Sequence, residues 1–345
     1  MRYLLSLLLV AVLISCASDT KSFTEVQIDR VFEDSLSIRA IAPLDENRVW
    51  FAANKGIVGL IDSVTPKLAV IRYEDSLLSF RAIAKTKEAV FVLSIANPGV
   101  LYKIGFDGEE ATNIEEVYVE KGEKVFYDAM AFWNDKEGIA MGDPTEDCIS
   151  IITTIDSGNT WEKIPCDRLP EAENGEAAFA ASNSNIALVG NHVWIATGGK
   201  KARVLHSYNK GKTWEVFDTP MLQGGTMTGI YSIDFFDENT GVVFGGNWEE
   251  KDFNEGNKAI TQDGGKTWKL MSNGQGPGYR SRVTFIPGTN GQGLIAVGSP
   301  GISYSNDQGN TWVELSDEGF YALEFVNDSV AFASGRKKVS KLLFQ

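Results

Sequence analysis

The sequence lacks most of the residue patterns on which catalytic and metal sites depend. Its 345 residues include two histidines and three cysteines, and no H-E-x-x-H, C-x-x-C or G-x-S-x-G segment occurs. These absences exclude the common zinc hydrolases, dithiol oxidoreductases and α/β-hydrolases. The glycine-rich run at residues 274–278 has neither the preceding strand nor the following helix of a dinucleotide-binding loop. We therefore expect no cofactor and no metal site.

Positive charge is also scarce. The chain carries 32 lysines and arginines against 46 acidic residues, which gives a net charge of −14. A surface this acidic disfavours nucleic acid and anionic lipid as general partners. With 43% hydrophobic residues, the chain is long enough for one large globular domain.

The only long apolar run lies at the N-terminus. Residues 3–14 follow a positive Met1-Arg2 and are apolar apart from Ser6. This run is too short to span a membrane but is typical of a signal peptide, which we place at residues 1–15. The segment L-I-S-C ending at Cys16 is similar to a bacterial lipobox. That resemblance implies lipidation of Cys16, a tether at residues 16–22, and membrane contact through the lipid only. The alternative is an ordinary secretory signal with an incidental cysteine. An Asp directly after the lipidated cysteine is the usual signal for retention in the inner membrane. Because Ala17 follows Cys16 instead, we expect a location in the bacterial cell envelope at the outer membrane.

One eight-residue pattern, S/T-x-D/N-x-G-x-T-W, occurs four times, with its tryptophans 53, 54 and 44 residues apart. Asp or Asn accepts hydrogen bonds from the backbone of a tight bend, Gly supplies a positive φ, and Trp buries a large ring, so each copy predicts a hairpin. The pattern resembles the Asp-box (BNR) repeat of sialidase-like β-propellers. The resemblance implies a structural rather than catalytic role for eight residues: Asp156, Trp161, Asn209, Trp214, Asp263, Trp268, Asp307 and Trp312.

The boxes belong to a larger repeat. Seven similar segments predict inner strands, about 47 residues apart on average, starting at Ile38, Phe80, Tyr127, Ala177, Tyr231, Arg282 and Tyr321. We therefore predict an all-β, seven-bladed β-propeller of four-stranded antiparallel blades over residues 23–345. The alternating segment 23–29 is predicted to supply the last strand of the last blade, so that N- and C-terminal strands pair and close the ring.

Two cysteines remain besides Cys16. A hairpin that places Thr154 opposite Trp161 also places Cys148 opposite Asp167, next to Cys166. Cross-strand neighbours have the separation that a disulfide needs, and an exported protein permits one. We predict this bridge, with two unpaired buried thiols as the alternative.

The starts of the inner strands should meet at the mouth of the central channel, where propellers bind ligands. The residues predicted there are Arg39, Arg81, Asp128, Tyr231, Arg280, Arg282 and Tyr321. Guanidinium groups presented together bind carboxylate or phosphate, and the tyrosines offer flat contact area. The alternative is that each arginine pairs with a local acid, such as Glu176 or Asp128.

A second resemblance is to the seven-bladed propellers of the photosystem II assembly and stability factor family. It implies binding of a client protein. We therefore expect a module that binds a protein or an anionic ligand, without catalysis. The anionic ligands considered include acidic saccharides. The acid-rich segment Asn247–Asn257 is a second contact or a solvated loop.

The alternative function is a sialidase-like glycoside hydrolase, or another propeller enzyme that acts on an acidic saccharide. Arg39, Arg81 and Arg280 would then imitate the arginine triad, Tyr231 or Tyr321 the nucleophile, and Asp128 the acid. Against it, the F-R-I-P signature of that family is absent, since Phe80-Arg81 is followed by Ala82.

Overall fold

The computed structural model describes residues 22–62, 65–108 and 110–345. The predicted signal peptide, Cys16 and all of the tether except Ser22 lie outside the described residues. Within those ranges the chain forms thirty strands and one short 3-10 helix. No helix in this part of the chain is long and apolar enough to cross a membrane.

In chain order the strands are β1 (Val26–Pro43), β2 (Val49–Ala53), β3 (Ile57–Ile61), β4 (Lys67–Val70), β5 (Arg72–Tyr73), β6 (Ser76–Leu77), β7 (Phe80–Lys85), β8 (Ala89–Ser94), β9 (Gly99–Phe106), β10 (Ala111–Glu120), β11 (Tyr127–Phe132), β12 (Gly138–Gly142), β13 (Ser150–Thr154), β14 (Glu162–Lys163), β15 (Glu176–Ala177), β16 (Ile186–Val189), β17 (His192–Ala196), β18 (Gly198–Gly199), β19 (Arg203–Ser207), β20 (Glu215–Asp218), β21 (Thr228–Phe235), β22 (Gly241–Asn247), β23 (Lys258–Thr261), β24 (Lys269–Leu270), β25 (Arg282–Phe285), β26 (Leu294–Gly298), β27 (Gly301–Ser305), β28 (Val313–Ser316), β29 (Ala322–Phe325) and β30 (Val330–Phe344). The 3-10 helix is Cys166–Arg168.

The strands form an all-β propeller of antiparallel blades. Four sheets have four strands each, in the orders β7-β8-β9-β10, β11-β12-β13-β14, β16-β17-β19-β20 and β25-β26-β27-β28. Two have six strands, in the orders β29-β30-β1-β2-β3-β4 and β15-β18-β21-β22-β23-β24, and β5-β6 is a small separate hairpin. Hydrophobic clusters fill the spaces between neighbouring sheets. Fully buried alanines such as Ala40, Ala82 and Ala129 let the inner strands converge.

The prediction of seven separate blades is wrong: the described residues form six sheets of four or more strands. The difference arises at β1, whose first part pairs with β30 from Val26↔Phe344 to Ser37↔Arg336, and whose last part pairs with β2 from Ile38 to Pro43. No Gly or Pro interrupts residues 26–42, so nothing breaks the strand between the two pairings. The units at the two ends of the chain therefore share one sheet.

Each box turn is held by its own side chains. In the copy around Asp263, the carboxylate accepts hydrogen bonds from the Thr267 N–H (2.9 Å), the Thr267 hydroxyl (2.6 Å) and the Thr261 hydroxyl (2.8 Å). Burial opposes ionisation, but these donors hold the pKa of Asp263 below its ordinary value. In the copy with Asn209, the amide oxygen accepts from the Thr213 N–H (3.0 Å) and the amide nitrogen donates to the Thr213 hydroxyl (2.9 Å).

Removing one box carboxylate tests how much each turn contributes to stability. Asp263→Ala is expected to lower the free energy of unfolding by about 1–2 kcal/mol, because three local donors lose an ionised acceptor. Asp263→Asn is the matched control and should lose less than half as much, since Asn209 fills the same place in another copy. Urea unfolding measures both, and an unchanged midpoint for the alanine variant would show that the turn does not depend on its carboxylate.

Cys148 and Cys166 are joined by a disulfide, with Cα atoms 5.5 Å apart. The register from which we predicted the bridge is not the one observed, because Cys148 forms a bridge pair with Glu171 instead of lying opposite Asp167. Strand β14 has only two residues, and the chain enters the 3-10 helix at Cys166. The disulfide therefore joins the segment just before β13 to the first residue of the 3-10 helix.

Candidate functional site

Four of the predicted mouth residues occupy one equivalent place in the fold. The pairing of the inner strand with its neighbour skips one residue in β1, β7, β11 and β21, and the skipped residues are Arg39, Arg81, Asp128 and Tyr231. Each is the extra residue of a β-bulge, a device that redirects a side chain away from the ladder. The repeat thus brings four side chains, of three kinds, to the same end of the channel.

Arg39 and Arg81 are half-buried there and are not neutralised by contact with an acid. Arg39 donates from Nη1 to the carbonyl of Ala181 (3.3 Å), and its Cζ lies 4.1 Å from the ring centre of Tyr321. Arg81 donates from Nη1 to the carbonyl of Ala180 (3.4 Å). Within the described ranges neither guanidinium forms an ion pair, and the buried Nε of Arg39 has no hydrogen-bond partner.

The two guanidinium groups repel each other. Burial, followed by the charge of Arg39, lowers the pKa of Arg81 to about 10, while Asp128 and Tyr321 act in the opposite direction. A guanidinium remains protonated at neutral pH under such a shift. The pair therefore holds two close positive charges, and an anion lying between them would relieve their repulsion.

The carboxyl groups of Asp128, beside Arg81, and of its neighbour Asp143 both have raised pKa values. Asp128 is fully buried, and neither of its oxygens makes a hydrogen bond of standard geometry, although the Ala180 N–H faces it. Burial, and after it the neighbouring Asp143, raises the pKa of Asp128 well above its ordinary value. Burial also raises the pKa of Asp143 to about 6, against a hydrogen bond from the Ala178 N–H (2.8 Å). A neutral Asp128 does not cancel the charge of Arg81.

Tyr231 fills the mouth instead of lining it. Its ring stacks on Phe179 at 3.9 Å and meets the edge of Tyr279 at 4.8 Å, and its hydroxyl donates to the carbonyl of Met227 (3.0 Å). Tyr231 is 2% exposed. The expectation that it offers flat contact area is therefore wrong, because its two faces are already packed, whereas Tyr321 stays half-exposed beneath Arg39.

Arg280 and Arg282 do not join the pair. Arg280 is 2% exposed; it donates to Ser303 Oγ (2.7 and 3.1 Å) and to Tyr279 O (3.0 Å), and it forms an ion pair with Glu314. Arg282 forms an ion pair with Glu324 at 3.1 Å. For these two arginines the alternative of local pairing is correct. Glu176 is likewise paired, with Arg203.

Arg282 lies at a different level of the channel. A cavity of about 350 Å³ opens there between the later parts of the inner strands, lined among others by Lys85, Asn183, Arg282 and Glu324. Two of its charged groups compensate each other, since Arg282 is paired with Glu324. We place the candidate site at the Arg39 and Arg81 end.

Several parts of the site were not predicted from the sequence. The carbonyls of Ala180 and Ala181 hold the guanidiniums, and Phe179 and Tyr279 hold Tyr231, but nothing in their residue types indicates those roles. Asp143 directly follows Gly142, the last residue of β12, which pairs with Tyr127 of β11. Because Asp128 directly follows Tyr127, this strand register is the signal that could have placed Asp143 near Asp128. The described part of the chain contains no group of three or more metal-ligating side chains.

Comparison with known proteins places the fold but no family. No protein-family model matches the sequence, and no curated protein matches it either. Among solved structures, "YCF48 bound to D1 peptide" has a TM-score of 0.66 and 12% identity over 94% of this chain and 99% of that one. The chain has a β-propeller fold.

Two further structures show the breadth of the likeness. A GH74 xyloglucanase from Xanthomonas campestris gives a TM-score of 0.63 at 12% identity, covering 92% of this chain and 53% of that one. The WD40 propeller domain of Doa1 gives 0.60 at 10% identity, covering 94% and 98%. At these identities the matches establish the fold alone, so the resemblance to assembly-factor and glycosidase propellers is supported only as a likeness of fold.

Proposed function

We propose that this β-propeller binds a protein partner, without catalysis, by holding an anionic group of the partner between Arg39 and Arg81. The observation that carries the proposal is the pair itself: two half-buried guanidinium groups at one channel end, each held by a single hydrogen bond to a backbone carbonyl and neither in an ion pair within the described residues. An acidic side chain or a terminal carboxylate matches this arrangement. Stacking on Tyr321 fixes the plane of Arg39 in advance, which lowers the entropy lost on binding.

The solved structures give this proposal a precedent. One of them is of YCF48 bound to a D1 peptide, so a propeller of similar outline accommodates a peptide. A peptide site in this chain is our inference from its own arginines, because 12% identity carries no functional residue across.

The test is affinity capture from cross-linked membranes with three proteins: the wild type, Arg39→Gln/Arg81→Gln, and Arg72→Gln as a control at an exposed arginine. We expect a partner with the wild type and the control, and its loss with the double variant. Capture of the same proteins by all three would refute the mouth as the binding site.

The affinity for an acidic peptide is expected to fall as the pH rises. Asp143, with its pKa raised to about 6, ionises as the pH rises through that value, and its negative charge then opposes the bound anion. The peptide carboxylate is already ionised above about pH 5. The carboxyl groups of the protein therefore decide whether the affinity rises or falls with pH. Between about pH 5 and pH 8 we expect a roughly three- to tenfold loss, the effect of one added charge at several Å in a partly screened site.

Titration calorimetry at several pH values measures this dependence. Asp143→Asn should flatten it, whereas Asp237→Asn, in the turn between β21 and β22, should not. An affinity that increases with pH would contradict the assignment.

A second candidate function is glycoside hydrolysis, and one observation favours it. Asp128 and Asp143 are neighbouring carboxyl groups with raised pKa values in the mouth, and glycosidases work with a carboxyl pair. A panel of fluorogenic glycosides tests this directly. Turnover by the wild type that Asp128→Asn abolishes would replace the binding proposal.

We also propose that the protein is lipid-anchored at Cys16 and that the pairing of β1 with β30 closes the propeller. The first described residues lie at the end of the propeller that carries the box turns, because the ring centre of Phe23 is 5.3 Å from that of Tyr304, just before the box of Asp307. From Val26, strand β1 then runs about 35 Å to Ser37, which lies beside the mouth. An anchor there would leave the mouth facing away from the membrane. If β30 amides exchanged hydrogen as fast as open edge strands, closure would be refuted.

Cys16→Ser is expected to move most of the protein from the membrane fraction to the soluble fraction, because the acidic surface gives little affinity for lipid without the acyl chains. Fractionation with immunodetection measures this. Cys148→Ser/Cys166→Ser is the control and should keep the protein on the membrane. Equal membrane retention of the Cys16→Ser variant would refute the anchor.

A further inference from the structure

A loop on the mouth side adds negative charge and aromatic surface to the site. It begins at the last residue of β22 and spans Asn247–Asn257. The Trp248 N–H donates to the carbonyl of Met227 (3.2 Å), and the Tyr279 N–H donates to the carbonyl of Lys251 (2.8 Å). Met227 and Tyr279 are also the residues that hold Tyr231 in place. The loop is therefore attached to the same residues that fill the mouth.

The loop is acidic, exposed and unneutralised. Its carboxylates, Glu249, Glu250, Asp252 and Glu255, are all exposed, and its one cation is Lys251, which lies 5.1 Å from the ring centre of Trp248. Trp248 is 45% exposed and Phe253 is 39% exposed. In the part of the chain that the structure describes, none of the four carboxylates takes part in an ion pair.

The loop and the arginine pair both lie near Tyr231, whose hydroxyl donates to the same Met227 carbonyl that accepts from the backbone N–H of Trp248. Burial raises the pKa of Tyr231 most, followed by Tyr279 and then Glu249, while Arg39 lowers it. A positive and a negative group therefore both act on the hydroxyl of Tyr231. The mouth is bipolar: the Arg39 and Arg81 side is positive, and the Glu249 side is negative.

An independent feature points to a ligand at this end. Asp128 is fully buried beside Arg81 with neither oxygen in a standard hydrogen bond, and the buried Nε of Arg39 also lacks a partner. Buried polar atoms of native proteins are nearly always satisfied. The arginine end of the mouth therefore contains buried polar groups for which the described chain supplies no standard hydrogen-bond partner.

We propose that the occupant of the mouth is a bipolar peptide segment. Its acidic group lies between Arg39 and Arg81, and a lysine or arginine a few residues away lies against Glu249 and Glu250, with its aliphatic stem on Trp248. This inference rests on the proposed function and specifies its ligand. A purely anionic saccharide or phosphate fits less well, because the loop carboxylates repel it.

The probes are fluorescein-labelled decapeptides of Ser, Ala and Gly carrying one Glu and one Lys placed two to six residues apart, with matched peptides in which Gln replaces the Lys. Fluorescence anisotropy gives the affinities. We expect the best Glu–Lys peptide to bind at least tenfold more tightly than its Glu–Gln match. The advantage should disappear in Glu249→Gln/Glu250→Gln and persist in the control Glu162→Gln/Glu215→Gln, which changes two exposed glutamates elsewhere.

A charge reversal separates recognition from a structural effect. Glu249→Lys/Glu250→Lys should prefer peptides with Glu in place of the Lys. If Glu–Gln peptides bind as tightly as Glu–Lys peptides and binding needs Arg39 and Arg81, the bipolar ligand is refuted and the proposed function stands. If no peptide binds, or if Arg39→Gln/Arg81→Gln binds unchanged, both fall.

Discussion

Replacing Arg39 and Arg81 together with glutamate is expected to weaken the binding of acidic peptides by at least an order of magnitude. In the wild type the two guanidiniums lie together at one channel end, and the carboxyl group beside them favours its neutral form. The substitution removes both donors and places two negative charges where the ligand carboxylate would lie. Loss of one partner of a desolvated, hydrogen-bonded charge pair costs about 2–5 kcal/mol, a loss of about 30-fold to a few thousand-fold in affinity.

Graded variants identify the cause of that loss. Arg39→Lys/Arg81→Lys keeps the charges but loses the planar fork and the stacking on Tyr321, so it should bind with intermediate affinity. Arg72→Glu, at an exposed position, controls for a charge reversal elsewhere on the surface. Both arginines are half-buried, and thermal unfolding shows whether each variant is folded. Binding of the folded glutamate variant within twofold of wild type would remove the arginine pair from the site.

The box hairpins were predictable because the interactions that form them are local. Asp263 and Thr267 are four residues apart, and every hydrogen bond to the Asp263 side chain stays within the turn. The blade count depends on a distant contact instead. Val26 pairs with Phe344, and no local pattern says whether the strand beginning there stops before Ile38 or continues through it.

The site was predictable only where the repeat stays in register. Arg39, Arg81 and Asp128 each follow the first residue of a predicted inner strand, and each is the extra residue of an equivalent β-bulge. In the unit of β25 the residue beside Tyr321 is Ser281, whose hydroxyl donates to the Tyr321 carbonyl (2.7 Å). Arg280 and Arg282 lie one position to either side. A shift of one residue in a strand turns a side chain to the other face. Both arginines therefore point away from the pair and form ion pairs with Glu314 and Glu324.

Arg203→Met is expected to cause the largest loss of stability among these substitutions. The Glu176 side chain is 0% exposed and that of Arg203 12%. Arg203 Nε donates to Glu176 Oε1 (3.1 Å), and that carboxylate also accepts from the Thr197 hydroxyl (2.6 Å) and the Glu173 N–H (2.8 Å). Removing the guanidinium leaves a buried carboxylate with neutral donors only. Breaking a buried pair in this way costs about 3–5 kcal/mol, a large part of the 5–15 kcal/mol that typically separates folded from unfolded domains.

A double replacement distinguishes the cost of a stranded charge from the value of the pair. Glu176→Met/Arg203→Met removes both charges and fills the space with apolar atoms, so its free energy of unfolding should lie closer to wild type than that of Arg203→Met. Urea unfolding gives both values, with Arg72→Met as the exposed control. If the double variant were the less stable, the pair would contribute net stability through the Thr197 and Glu173 hydrogen bonds that the carboxylate receives. A loss below about 1 kcal/mol for the single variant would place the ion pair among weak surface interactions, in conflict with its burial.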